Sequence, residues 1–257
     1  MTVVIGHLFP DVLDTYGDAG NVMTLRRRLE WRGLRVQVVP IGTRRSVEWP
    51  DVDIVVGGGG PAAGLHRLAL ELAEGAAALR QAVAAGLPLL AVGTLYRAFG
   101  DTVMTAGREL PGVGIFAAVT RETGRRQVGN LVLDSPFGPL VGFENHQDTT
   151  SLAPGQQPLG TLRSQGAIGP PRHDGAISHC AVGTNLHGPV LPNNPALADH
   201  LIRCLLRRRL LADDLAVVDN GPMSPIRARW HNVGDQERKT SRPGRWRSRH
   251  RSGRTVS

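Results

Sequence analysis

The sequence predicts an α/β fold built on a mostly parallel sheet with crossover helices. Two observations carry this reading. Short apolar runs alternate with amphipathic stretches through the first half of the chain. Glycine-rich turns follow three apolar runs, at Gly57 to Gly60, at Gly93 and at Gly183. Strand–helix–strand at this spacing needs crossover connections, and crossovers join parallel strands.

The elements follow in order. Val3-Val4-Ile5-Gly6 reads as a buried strand. Asn21 to Arg32 reads as a helix, with Val22, Leu25 and Leu29 on one face and Arg26-Arg27-Arg28 mostly on the other. Gly33 stops it, and Leu34 to Val39 is a second strand. Asp53 to Val56 is a third, and Leu65 to Ala85 is an Ala/Leu-rich helix closed by Gly86. Leu87 to Val92 is a fourth strand. In the second half, Gly129 to Asp134, Leu140 to Phe143 and His179 to Val182 read as short strands between Gly- and Pro-rich turns. Pro195 to Leu211 is a final helix with Pro in its first turn.

The chain has 257 residues and 27.5 kDa, enough for one large core. No apolar run approaches the roughly 18–20 residues of a membrane span. Met1 runs straight into Val3-Val4-Ile5 without a basic n-region, which argues against a secretory signal and for a cytoplasmic domain. Cys180 and Cys204 are too few for a disulfide framework or a Cys-rich metal site, and each reads as a core residue. The net charge of +8 belongs to the tail. Residues 221–257 hold nine Arg and one Lys against one Asp and one Glu, while the rest is neutral. That division disfavours a nucleic-acid-binding face. Periodicity fades near residue 213, so the expected organisation is a domain over 1–212 and a basic, disordered tail over 213–257.

Three turns are candidate sites. Gly57 to Gly60 ends a strand at the edge where open parallel sheets bind ligands, and its backbone N–H groups could meet an oxyanion. It is neither a dinucleotide fingerprint nor a phosphate loop. Gly93-Thr94-Leu95-Tyr96-Arg97 has the layout of a nucleophile elbow, yet glycine has no side chain to attack with. His187, between Leu186 and Gly188, is a general-base candidate or simply a solvated loop residue. Glu144-Asn145-His146 could orient a partner or cap a turn.

These motifs together resemble the CobB/CobQ-like group of class I, triad-type glutamine amidotransferases. Within it the chain is similar to the glutaminase subunits of lipid II isoglutaminyl synthases. The resemblance spans about residues 3–212. It rests on Ile5-Gly6-His7-Leu8-Phe9-Pro10, Thr15-Tyr16-Gly17-Asp18, Gly20-Asn21, Glu30-Trp31-Arg32-Gly33, Gly142-Phe143-Glu144-Asn145-His146, Gly183-Thr184-Asn185-Leu186-His187-Gly188-Pro189 and Asn194-Pro195.

The resemblance implies a flavodoxin-like glutaminase domain. In such enzymes a Cys thiolate attacks the glutamine amide, a His activates it, and backbone N–H groups hold the oxyanion. It implies no cofactor and no metal. It implies a heterodimer with a Mur-ligase-like subunit of the MurT type, which takes the ammonia for peptidoglycan amidation. Carried across, the base falls on His187 and the oxyanion donors on Gly58, Gly59 and Thr94. The arginine that holds glutamine falls on Arg126. The nucleophile position falls on Gly93, where the family reads Cys-Gly-Gly-Tyr-Gln. Tyr96, Gly100 and Pro111 to Gly114 keep the register around it. Arg97 replaces the Gln, Gly60-Pro61 stands where Gln-Asp is usual, and Ile168-Gly169-Pro170-Pro171 departs as well. The sequence thus implies an amidotransferase subunit that has lost its nucleophile, or a non-catalytic scaffold for a Mur-ligase-like partner.

Overall fold

The computed structural model describes residues 1–42, 49–61, 68, 72, 75–163, 172–211, 215–216 and 218. The Ile168 to Pro171 departure, much of the expected Leu65 to Ala85 helix and nearly all of the tail lie outside the described residues.

The main sheet contains β1 (Thr2–Leu8), β2 (Arg35–Ile41), β3 (Ile54–Gly57), β4 (Leu89–Val92), β11 (Ala176–Ser178) and β12 (Ala181–Thr184). Their order is β11-β12-β4-β3-β1-β2. All neighbours are parallel except β11 with β12. Read from β2, the five parallel strands run in the 2-1-3-4-5 order of flavodoxin-like folds, with the switch point between β1 and β3. Helices α1 (Ala19–Glu30), α2 (Ala76–Ala84), α3 (Thr94–Ala98), α4 (Val190–Asn193) and α5 (Pro195–Arg208) complete this layer.

Alternation along the strands explains why both faces are covered. Val55, Leu89 and Ala91 enter one apolar cluster with Leu79, Val83 and Phe99. Ile54, Val56, Leu90 and Val92 enter the other with Leu25, Leu29, Leu201 and Leu205. Strands buried on both sides read as continuous apolar runs, which is why they stood out in the sequence.

The second sheet was only partly legible. Between α3 and β11 the chain forms β5 (Thr102–Thr105), β6 (Arg108–Pro111), β7 (Ala118–Ser135), β8 (Gly138–Leu152), β9 (Gly160–Leu162) and β10 (His173–Asp174). The expected short strands at Gly129 and Leu140 are the inner arms of one long antiparallel hairpin, β7 with β8. Its outer face is polar and exposed, so hydrophobicity marks only part of each strand. Glu144-Asn145-His146, expected after a strand, lies inside β8. The pairing slips between Glu122 and Gln127, where Arg125 and Arg126 occupy a bulge.

A polar seam fixes α1 against α5. Arg28 reaches Asp199 through two hydrogen bonds, of 2.9 and 2.6 Å, and Arg32 donates to the same carboxylate at 3.0 Å. Asn194, at the N-cap of α5, accepts from Val141 N at 2.9 Å and donates to Val141 O and Val190 O. Asn21 accepts from Leu191 N at 2.8 Å.

One sequence expectation needs correction. Cys180 and Cys204, read as separate core residues, form a disulfide with a Cα separation of 6.0 Å. His179, at φ 53°, turns the chain into β12 and carries Cys180 toward α5. Tertiary packing, not local pattern, brings the pair together. The expected strand therefore starts at Ala181 rather than His179. Among the described residues no helix is long and apolar enough to cross a membrane.

Candidate active site

Four loops meet at the carboxyl edge of the main sheet. They follow β1, β3, β4 and β12, and they carry Asp18, the Gly57–Gly60 run, Gly93 and His187. This is the edge where open α/β sheets hold ligands.

Gly93 sits between β4 and α3 at φ 55° and ψ −115°. Side chains rarely adopt that region, and a strand-to-helix turn in it is the geometry of an elbow. Its N–H donates to Thr184 O at 2.8 Å, which ties the elbow to β12. A Cβ built on Gly93 would lie 2.5 Å from His187 Cε1 and 3.3 Å from His187 Nε2. The base candidate thus faces the nucleophile position directly, and its ring edge presses into the space that a side chain there would need.

His187 is not the solvated loop residue that the sequence also allowed. It is 2% exposed. Its backbone pairs with Phe143 of β8, and its ring packs 4.4 Å from the Tyr16 ring and 5.7 Å from Phe143. Neither ring nitrogen has a hydrogen-bond partner among the described residues. Burial, then the Arg97 and His146 charges, push its pKa down to about 3, so the imidazole is neutral near pH 7.

The glycine run is glycine because neighbours crowd it. A Cβ on Gly57 would strike Leu95, and one on Gly58 would strike Asp18. Gly59 lies close to His187 Cε1, with 3.0 Å to a built Cβ. The N–H of Gly59, an expected oxyanion donor, is already bonded to Asp18 Oδ2 at 2.8 Å. Gly58 accepts from Leu95 N through its carbonyl. The Thr94 hydroxyl bridges to Gly60, accepting from its N–H at 3.0 Å and donating to its carbonyl at 2.7 Å.

Arg97 is buried at 5% exposure. Its Nε donates to Gly93 O at 3.2 Å, Nη2 donates to Thr94 Oγ1 at 3.1 Å, and Nη1 forms an ion pair with Asp148 of β8. Burial lowers its pKa to about 10, so it keeps its charge at neutral pH.

The structure therefore brings Gly93, Thr94, Gly58, Gly59 and His187 together. Arg126 is not in that cluster. It is exposed on the β7 bulge, and its Nε donates to Asn145 Oδ1 at 2.9 Å. Asn145 lies two residues along β8 from Phe143, which puts Arg126 at the rim rather than the floor.

Sequence reasoning missed Asp18, Tyr16 and Asp148. Asp18 stands where an N-cap belongs, yet its side chain makes no capping bond to α1 and turns to Gly59 instead. Burial raises its pKa from 3.8 to about 6, against the Gly59 hydrogen bond. Its place after β1 at the switch point was the available signal. Asp148 had none, since its partner is 51 residues away and the pairing exists only through the hairpin. A further buried cluster lies behind the elbow. Asp174 accepts from Thr184 Oγ1 at 2.5 Å and from Asn185 N at 3.2 Å, while Glu144 holds His146 and Arg172. Among the described residues no group of three or more His, Cys, Asp or Glu is placed to hold a metal.

Comparison with known proteins gives this geometry a context. Residues 4–195 match the CobB/CobQ-like glutamine amidotransferase domain. The GatD subunit of a glutamine-hydrolysing lipid II isoglutaminyl synthase from Staphylococcus aureus (strain N315) is 31% identical over 224 residues, covering 85% of this chain and 90% of that protein. The GatD subunit from Streptococcus pneumoniae (strain ATCC BAA-255 / R6) is 27% identical over 214 residues, covering 80% and 81%. A solved glutamine amidotransferase has a TM-score of 0.50 at 16% identity, covering 80% of this chain and 99% of that one. That last likeness bears on the fold alone.

Proposed function

The chain belongs to the CobB/CobQ-like glutamine amidotransferase family, and we propose that it is the amidotransferase-type subunit of a lipid II isoglutaminyl synthase whose own glutaminase step has been lost. The observation that carries this is Gly93. It holds the elbow conformation and faces His187, but it offers no thiol. Cys180 cannot stand in, since it is bonded to Cys204 and precedes β12, at the end of that strand opposite the elbow.

In an intact site the thiolate would add to the carboxamide carbon of glutamine. His187 would accept the thiol proton and return it to the leaving ammonia, and Thr94 and the Gly58–Gly59 backbone would hold the oxyanion. Arg126, at the rim, would bind the substrate's carboxylate. Here the first bond cannot form, so neither thioester nor ammonia follows.

The expected partner is a MurT-like Mur-ligase subunit acting with ATP at the cytoplasmic side. In that heterodimer this chain supports the ligase, which draws on free ammonium. The relatives' role as subunits of a lipid II isoglutaminyl synthase and the retained scaffold support this reading. The test is glutamate release from glutamine by the purified chain, alone and with the ligase subunit, beside ammonium-dependent amidation of the acceptor. The expected result is no glutamate and ammonium-dependent product only. Glutamate release at enzymatic rates would overturn the reading.

A further inference from the structure

We propose that the buried Arg97–Asp148 pair holds the elbow shut against glutamine, so that Arg97 determines the specificity of this site by exclusion. The inference rests on reading Gly93 as the nucleophile position.

The argument starts from where the polar groups at the elbow are spent. Asp148 comes from β8, Arg97 and Thr94 from α3, and Gly60 from the loop after β3. Arg97 pairs with Asp148 and donates to Thr94 Oγ1, and Thr94 bridges both backbone groups of Gly60. These bonds form one continuous chain from the hairpin to the glycine loop, passing beside Gly93. On the other side, Asp18 takes the Gly59 N–H. The His187 ring edge fills the space against Gly93 Cα. The Gly59 N–H and the Thr94 hydroxyl, two of the polar groups a carboxamide would meet there, are thus already bonded to Asp18 and Gly60.

Arg97 and Asp148 are each 5% exposed. A ligand that displaced one would leave the other charged, buried and unpaired, which weakens binding by roughly a hundredfold or more. Stability is a poor explanation for such a pair, because apolar residues of similar volume usually hold a core at least as well. Its position explains it better, since it joins β8, whose Phe143 flanks His187, to the elbow itself.

The test is calorimetric titration of the full chain with L-glutamine in four forms. These are the unmodified chain, Gly93→Cys, Arg97→Gln/Asp148→Asn, and the triple variant. The amide pair keeps hydrogen-bonding groups at both positions, shortens the Arg97 side chain and removes both charges. If it fails to fold, Arg97→Met/Asp148→Leu replaces the ion pair by apolar contact. Saturable binding is expected only where the ion pair is gone, with Kd at least about tenfold tighter than in the unmodified chain. Glutamate release is expected only from the triple variant. Equal binding by the unmodified chain or by Gly93→Cys overturns the lock, as does a folded pair variant that binds no glutamine. A triple variant that binds glutamine but releases no glutamate leaves the lock standing and overturns the reading of Gly93.

Discussion

The α1–α5 seam and the elbow above β4 use the same materials to opposite ends. Both bury arginine against aspartate. At the seam, Arg28 and Arg32 converge on Asp199, and Asn194 and Asn21 satisfy backbone groups of neighbouring segments. Each polar group there joins two elements of the scaffold. At the elbow, Arg97 and Asp148 also pair, but around a position where a side chain is missing and beside an imidazole with no hydrogen-bond partner among the described residues. The seam keeps the motifs that place the chain in its family. On the proposed reading of Gly93, the elbow lacks the nucleophile. On that reading, fold and chemistry are held by separate residue sets, and one is lost while the other is retained.

The largest expected effect lies at the elbow. Loss of a nucleophile lowers turnover by roughly a millionfold. Glutamate release by the unmodified chain should therefore match the uncatalysed background, measured beside a Cys-bearing relative. Gly93→Cys alone should recover none of that factor while the Arg97–Asp148 pair excludes glutamine. The added Cβ must also push back the His187 ring, which lies 2.5 Å from that position.

At the seam the expected effect falls on stability instead. Asp199→Ala leaves Arg28, 4% exposed, without its carboxylate. Breaking such a pair costs about 3 kcal/mol. For a domain of this size that lowers the thermal midpoint by roughly 6–12 °C. Scanning calorimetry measures it. The comparison breaks if Asp199→Ala changes glutamine binding in a variant that has acquired it.

How much of this was visible beforehand follows the same division. The doubly buried strands β1, β3 and β4 were legible because their apolar runs are continuous. His187 stood out as a base-capable residue on a turn after a strand, and Gly93 only as a sharp strand-to-helix turn. The β7–β8 hairpin was read as fragments because its exposed face interrupts the pattern. Asp148 and the Cys180–Cys204 bridge were invisible, since each depends on a partner brought close by the tertiary fold. Asp18 was hidden in another way, by standing where an ordinary cap would stand.

A pH series sharpens the elbow's side of the contrast. Asp18 has its folded pKa raised from 3.8 to about 6 by burial, so its contribution to stability is full below 3.8 and lost as pH rises through 6. His187 has its folded pKa lowered from 6.5 to about 3, so its contribution is full above 6.5 and lost as pH falls toward 3. Between pH 6 and 4 the two slopes oppose each other at about 1.4 kcal/mol per pH unit each and nearly cancel. His187→Gln removes one of them. Relative to the parent, that variant should gain about 2 kcal/mol as the pH falls from 6 to 4. Asp18→Asn should lose a similar amount over the same range. Denaturant midpoints at several pH values test both. Parallel pH profiles for all three proteins would show that these two groups do not titrate as the buried site dictates.

The smallest effect is expected furthest from both regions, in the basic tail. Residues 221–257 carry nine Arg and one Lys, with few apolar side chains among them. A segment of that composition buries too little apolar surface to offset the entropy of ordering it. The scaffold's own apolar packing reaches as far as Leu215, which lies against the cluster containing Leu201 and Leu205. A cut after Val218 therefore keeps that contact and removes only the charged extension. The thermal midpoint should move by less than about 2 °C, under about 1 kcal/mol at this size. The net charge should fall to near zero, since residues 1–220 hold 20 Arg against 20 Asp and Glu. The truncated chain should accordingly elute earlier from a cation exchanger while melting where the full chain melts. A drop of more than about 8 °C would mean that the tail contributes to the core. The division between a scaffold that holds the fold and an elbow proposed to have lost its chemistry would then need a third structural region.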